Sequence, residues 1–251
     1  CFRLAVFLFV FLLLLWRREN RTRVLEFVHL FYPILILTYA FGETAWFNHI
    51  FFSQSFDHVL QSWDGYLFGF QPSIEFSKYF SVHWIGEVLN LSYFSYYFMT
   101  VGVMLAFYFR YPDQIERIVF VVVTSFFIYY LFFIAFPSEG PQYHFPEPLN
   151  KAVHSGLFSH WVQTVEHYGD KPTGAFPSSH VGMALVYLLL SWRKIPWLFW
   201  LLFPFALLIC FATVYVKAHY AVDVIGGIVS APLIYGLSGK IYGMISGFVS
   251  E

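Results

Sequence analysis

The chain alternates long apolar runs with short breaks of charge, proline and glycine, and that rhythm admits few folds. Seven runs stand out, at about 1–16, 24–47, 84–108, 118–136, 177–192, 196–215 and 220–247. A helix of about 20 apolar residues crosses a bilayer, whereas a membrane barrel needs alternating strands of about ten. Lipid offers no partner to an unpaired backbone N–H or C=O, so unbroken runs of this length predict an all-α, polytopic transmembrane bundle. The expected core has six helices, and the run at 1–16 adds one N-terminal crossing. Residues 1–251 read as a single membrane-embedded domain with outer loops at about 48–83 and 137–176. The first run opens on Cys1 and reads either as a truncated helix or as a signal anchor.

Composition closes off the other classes. Hydrophobic residues make up 59% of the 251 positions and charged residues 12%, against roughly 45–50% and 25% in soluble domains. A formal charge of -1 leaves no basic footprint for nucleic acid, which is not expected as a partner. The two cysteines, Cys1 and Cys210, build neither a disulfide framework nor a metal quartet, and no cofactor is implied. His154, His160 and His167 are spaced six and seven apart, unlike a helical metal pair.

Basic residues orient the bundle. Arg17, Arg18, Arg21 and Arg23 crowd the first connection, Arg110 and Arg117 the third, and Arg193 with Lys194 the fifth. By the positive-inside tendency these loops face the cytoplasm, and 48–83, 137–176 and the turn near 216–219 face outward. Within 48–83, Phe51, Phe52, Phe56, Leu60 and Trp63 are interrupted by Asp57, His58 and Asp64. That pattern predicts an amphipathic helix in the interface, either a lid packed on the bundle or a substrate gate.

Polar chemistry collects late in the chain. Lys171, Ser178, Ser179 and His180 fall in KPTGAFPSSHVGMA, and Lys217, His219 and Asp223 in FATVYVKAHYAVDVIGG. Ionisable groups are expensive inside a membrane, so their presence points to function. Each also has a plain reading: Ser178 as a helix cap, His180 as an interfacial histidine, Lys217 as a snorkelling side chain. Gly174 and Pro177 break the chain before the fifth crossing, which puts Ser178, Ser179 and His180 at a helix N-terminus suited to an anion such as phosphate. His219 and Asp223, four apart, share a face if the last crossing starts near them, and a carboxylate on one imidazole nitrogen frees the other to attack. One histidine then serves as nucleophile, the other protonates the departing oxygen, and Lys217 supplies positive charge.

Phe176–Gly182 and Thr213–Gly227 resemble the second and third signature motifs of the type 2 phosphatidic acid phosphatase family, written PSGH and SRxxxxxHxxxD. The resemblance implies a phosphohistidine on His219, an aspartate, Asp223, that holds it, and His180 as general acid. Ser178 and the backbone of Ser179 would contact phosphate, with no metal required. The family's first motif, KxxxxxxRP, is absent; the matching stretch, FPSEGPQYHF, has Gln142 where an arginine is expected. Ala212 and Thr213 replace the Ser and Arg of the third motif. Lys217, four residues on, would offer its ammonium from one helical turn away. Lys171 either binds phosphate or meets lipid headgroups. AFPSSH, HYAVD and DHVLQSWDGYLFGFQP at 57–72 are similar to the branch that holds inositol phosphorylceramide synthases.

The expected function is an integral membrane phosphatase that hydrolyses a lipid phosphate mono- or diphosphate ester at the extracytoplasmic face. The alternative within the same chemistry is a lipid phosphotransferase passing the phosphoryl headgroup to a polyol acceptor. An alternative of another class is a non-enzymatic phospholipid carrier. The expected partners are the bilayer and a phosphorylated lipid.

Overall fold

The computed structural model describes residues 23–150, 156–169 and 171–250. Among these, every regular element is helical. The long helices are α1 (Arg23–Phe47), α4 (His83–Arg110), α5 (Ile115–Ala135), α8 (Ser179–Ser191), α9 (Pro196–Tyr215) and α10 (Ala221–Ser250). Between them lie α2 (Asp57–Phe68), α3 (Pro72–Tyr79), the single turn α6 (Pro141–His144) and α7 (Leu157–Gly169). The run at 1–16 lies outside the described residues. The chain divides between Ala40 and Phe41 into two compact units; residues 23–40 belong to the first and form the start of α1.

Among the described residues, five helices are long and apolar enough to cross a membrane, namely α1, α4, α9, α10 and α5 with the turn that precedes it. The remaining predicted crossing, 177–192, is the 13-residue α8. At about 1.5 Å per residue it reaches about 20 Å, short of the roughly 30 Å of a hydrocarbon core. Its sequence breaks early because Pro177 and Ser178 end the preceding loop inside the apolar run, and Ser178 caps the helix by accepting from the Val181 N–H.

α8 packs against α4, α5, α9 and α10, which explains why ten of its 13 residues are buried. The contacts are tight where side chains are small. A Cβ on Gly227 would stand 2.6 Å from the Ser178 carbonyl oxygen, so glycine lets α10 lie against the head of α8. Hydroxyls tie the helices further: Thr100 to Tyr187 at 2.6 Å, Tyr129 to Ser230 at 3.0 Å and Ser125 to Ser238 at 3.2 Å. Outside, Phe98, Phe109, Leu131, Trp200, Leu233 and Phe248 are exposed, the apolar surface of a protein solvated by lipid.

The connections between the described helices gather in two groups. At one, the Tyr111 hydroxyl donates to the Lys194 carbonyl (2.8 Å), and Arg110 and Lys194 both lie over the Tyr111 ring. At the other, the Phe56 N–H donates to Pro137 O (2.7 Å) and the Gln142 N–H to Lys217 O (3.0 Å). The predicted helix in 48–83 is present as α2, but its carboxylates do not face water. Asp57, Leu60 and Asp64 are all fully buried, because each acid turns inward to accept backbone N–H groups, Asp57 from the loop at 139–140 and Asp64 from the start of α10.

Candidate active site

The loop ends converge on His219. α9 stops at Tyr215 and α10 starts at Ala221, so His219 sits in the connecting turn and not on the face of a crossing. Lys217 takes a left-handed conformation there (φ 66), which reverses the chain, and the His219 N–H closes back on Thr213 O at 3.1 Å. Asp223 lies in the first turn of α10 and its Oδ2 accepts the Tyr220 N–H at 2.8 Å. The same oxygen is 3.4 Å from His219 Nδ1.

The nearer partner of that nitrogen is the carbonyl oxygen of Ala175, at 2.8 Å. A carbonyl only accepts, so Nδ1 carries the proton and Nε2 presents its lone pair. His219 Nε2 faces His180 Nδ1 at 3.4 Å. His180, the second residue of α8, is held by rings from α4: Tyr93 stacks on it at 4.9 Å and Tyr96 lies at 4.4 Å. His219 and Asp223 are themselves buried, with 3% and 0% of their surface exposed.

Ser178 joins this group through its backbone, whose N–H donates to Asp223 O at 3.0 Å. Ser179 opens α8 and is buried. Gln142 is half-buried and linked to the turn through its N–H to Lys217 O. Lys171 is exposed in the loop before the second motif, where its carbonyl accepts the Thr173 N–H.

The geometry corrects the expected place of Lys217. It lies beyond the end of α9 and shares no helical face with Thr213, whose hydroxyl bonds back to Ile209 O at 2.9 Å. The Lys217 ammonium is buried and donates to Ser73 O of α3 at 2.7 Å. Burial, and then the charge of Lys78, pull its pKa down to about 8, against the opposing pull of Glu75.

Several parts of this arrangement escaped the sequence reading. The loop at 138–140 is a hub: Ser138 Oγ accepts the Phe176 N–H (2.9 Å), and Ser138 O the Ala175 N–H (3.3 Å). Gly140 has φ 98, and a Cβ there would stand 2.7 Å from Ala218 O, so only glycine lets this loop touch the residue before His219. Asp57 and Asp64 hold this loop and the start of α10. Their spacing of seven puts the two acids on one helical face. Beside the site, Trp63, Leu67, Phe176, Val222, Gly226 and Val229 line an apolar cavity of about 380 Å³.

The sequence profile of the PAP2 superfamily matches residues 60–237. The chain belongs to the PAP2 superfamily. That span holds both histidines, Asp223 and every helix from the second turn of α2 to the middle of α10. Its type 2 phosphatidic acid phosphatase motifs and the five long apolar helices among its described residues make the chain an integral, multi-pass membrane protein. Among solved structures, a similar fold is that titled the first transmembrane PAP2 type phosphatidylglycerolphosphate phosphatase from Bacillus subtilis. The two share 16% identity with a TM-score of 0.50, over 86% of this chain and 98% of that one. Likeness at that identity speaks for the PAP2 fold alone. A search of curated proteins finds no match.

Proposed function

We propose that this chain is an integral membrane phosphatase that hydrolyses a lipid phosphate mono- or diphosphate ester through a phosphohistidine on His219. The observation that carries the reading is the facing pair of imidazoles, with His219 Nδ1 on the Ala175 carbonyl and Nε2 turned to His180 at 3.4 Å. In the first step the Nε2 lone pair forms a bond to phosphorus and the phosphorus–oxygen ester bond breaks. His180 gives its proton to the departing oxygen. In the second step His180 accepts a proton from water as that water attacks phosphorus; the phosphorus–nitrogen bond breaks and phosphate leaves. Asp223 stabilises the positive charge that His219 bears in the intermediate.

Phosphoryl oxygens would be met by the Ser179 N–H at the head of α8, where the helix dipole favours an anion, and by Ser178 and Gln142. Lys217 is a buried cation in the turn that carries His219. Its ammonium has one hydrogen bond to Ser73 O, and we assign its other N–H groups to phosphate in place of the arginine absent at Thr213. Lys171, on the exposed loop, would draw in the headgroup. The site would face the extracytoplasmic side, because Arg110, Arg193 and Lys194 collect at the other end. The apolar cavity beside Phe176 and Val222 would take a lipid chain.

The test is phosphate release from a panel of lipid phosphates by the purified protein, with product mass analysis and added polyols. Free phosphate from the wild type, lost in His219→Ala, is the expected result. Activity unchanged in His219→Ala, or phosphate recovered only on the polyol, would overturn hydrolysis by this route.

A further inference from the structure

The two buried acids of α2 reach both halves of the histidine site. Asp57 Oδ2 accepts the Glu139 N–H (2.8 Å) and its Oδ1 the Gly140 N–H (2.8 Å). The same Oδ1 also accepts the Tyr220 hydroxyl (3.1 Å), so one carboxylate joins the 138–140 hub to the residue after His219. Asp64 Oδ1 accepts the Val222 N–H (2.9 Å) and Oδ2 the Ala221 N–H (3.0 Å). These are the first two amides of α10, immediately before Asp223.

We propose that α2 is a positioning brace for the reaction, with Asp57 setting the hub that orients His219 and Asp64 setting the helix start that carries Asp223. The chain of contacts is short. Asp57 fixes Glu139 and Gly140; the adjoining Ser138 fixes Ala175 and Phe176; and the Ala175 carbonyl fixes His219 Nδ1. On the other side, Asp64 anchors Ala221 and Val222, and the next residue is Asp223.

The choice of carboxylates fits this task. A carboxylate accepts two N–H groups in a fixed fork, and charge-assisted bonds to backbone amides are roughly twice as strong as neutral ones. At a helix start the negative charge also meets the positive end of the dipole. Neither acid touches the reacting nitrogens, so both are positioning residues whose effect passes through backbone. The acids face inward while Trp63, Tyr66 and Leu67 of the same helix line the apolar cavity. A lipid chain seated there would press on the helix that sets the nucleophile.

The inference rests on the two-histidine reading, and a series of full-length variants separates the two. kcat, KM and thermal midpoint are measured on a lipid phosphate for Asp64→Asn, Asp64→Ala, Asp64→Glu, Asp57→Asn and His219→Ala. Misplacement of a reacting group by about 1 Å costs on the order of 100-fold in rate, so Asp64→Ala should lower kcat by about 10- to 100-fold with KM within about threefold. Asp64→Asn retains one acceptor and should fall between Ala and wild type, as should Asp57→Asn. Should Asp64→Ala not fold, Asp64→Asn and Asp64→Glu carry the same comparison, because both keep an oxygen for the amides. Unchanged kcat in Asp64→Asn and Asp57→Asn beside an inactive His219→Ala would overturn the brace and leave the nucleophile standing. Loss of kcat only in step with loss of folded protein would also overturn it. An active His219→Ala would remove the nucleophile and the brace together.

Discussion

The carbonyl oxygen of Ala175 lies 2.8 Å from Nδ1 of His219, closer than the Asp223 carboxylate at 3.4 Å. The tautomer of His219 is therefore set by a main-chain group that no side-chain substitution removes. Asp223→Asn should keep the correct tautomer and lose only the charge that stabilises the imidazolium. Its kcat should fall by about 100- to 1000-fold, the range for loss of one stabilising contact, and stay measurable where His219→Ala is inactive.

His180 and His219 should separate by leaving group. A general acid contributes about 10²- to 10⁴-fold where the departing oxygen is basic. In kcat/KM, which reports the steps up to departure of the leaving group, His180→Ala should lose that much on a lipid phosphate and little on an aryl phosphate, whose phenolate departs unaided. His219→Ala should fail on both. Parallel steady-state assays with the two substrates check this, and equal losses for His180→Ala would remove its role as acid.

Lys217 gives opposite pH signs for catalysis and stability. Its folded pKa of about 8 is below the ordinary 10.5, so the site loses its buried positive charge as pH rises through about 8, and kcat/KM should fall there. The unfolded chain binds more protons between those two values, so this group's contribution to stability rises with pH across the same window. Lys217→Met should flatten the basic limb of kcat/KM near pH 8 and abolish the stability increment. A basic limb unchanged in that variant would show another group at work.

Two glycines of α10 should respond in opposite directions. A Cβ at Gly227 would press on Ser178 O, whereas one at Gly236 meets nothing within 4 Å. Gly227→Ala should lower the thermal midpoint and, by pushing on the head of α8, reduce kcat. Gly236→Ala should be neutral or stabilising by up to about 1 kcal/mol, the helix propensity difference. Melting curves of the two variants in the same detergent test the contrast.

The crossings were legible because apolar runs and helices are governed by the same requirement for internal backbone pairing. The run at 196–215 coincides with α9, and those at 24–47 and 84–108 differ from α1 and α4 by one or two residues at an end. The His219, Asp223 and His180 cluster was legible because the three sit in short motifs rich in rare polar groups. The role of Ala175 was invisible, since a main-chain carbonyl leaves no mark in side-chain identity. Lys217 was misplaced because its own left-handed conformation, just past the end of α9, breaks the helical register that a four-residue spacing from Thr213 assumes. Asp57 and Asp64 looked like the wet side of an amphipathic helix, since sequence does not tell an acid facing water from one facing buried amides.

The short length of α8 has a consequence for what the protein accepts. α9 follows it through a tight turn and runs 20 residues, about 10 Å further than α8 at about 1.5 Å per residue. His180, near the start of α8, is correspondingly sunk, and it meets α4 three to four turns below that helix's beginning, at Tyr93 and Tyr96. On the proposed reading, a phosphate would have to descend past the start of α4 to meet the imidazoles. On that reading, lipids ending in a bare phosphate should be accepted and those bearing a bulky substituent beyond the phosphorus should be rejected.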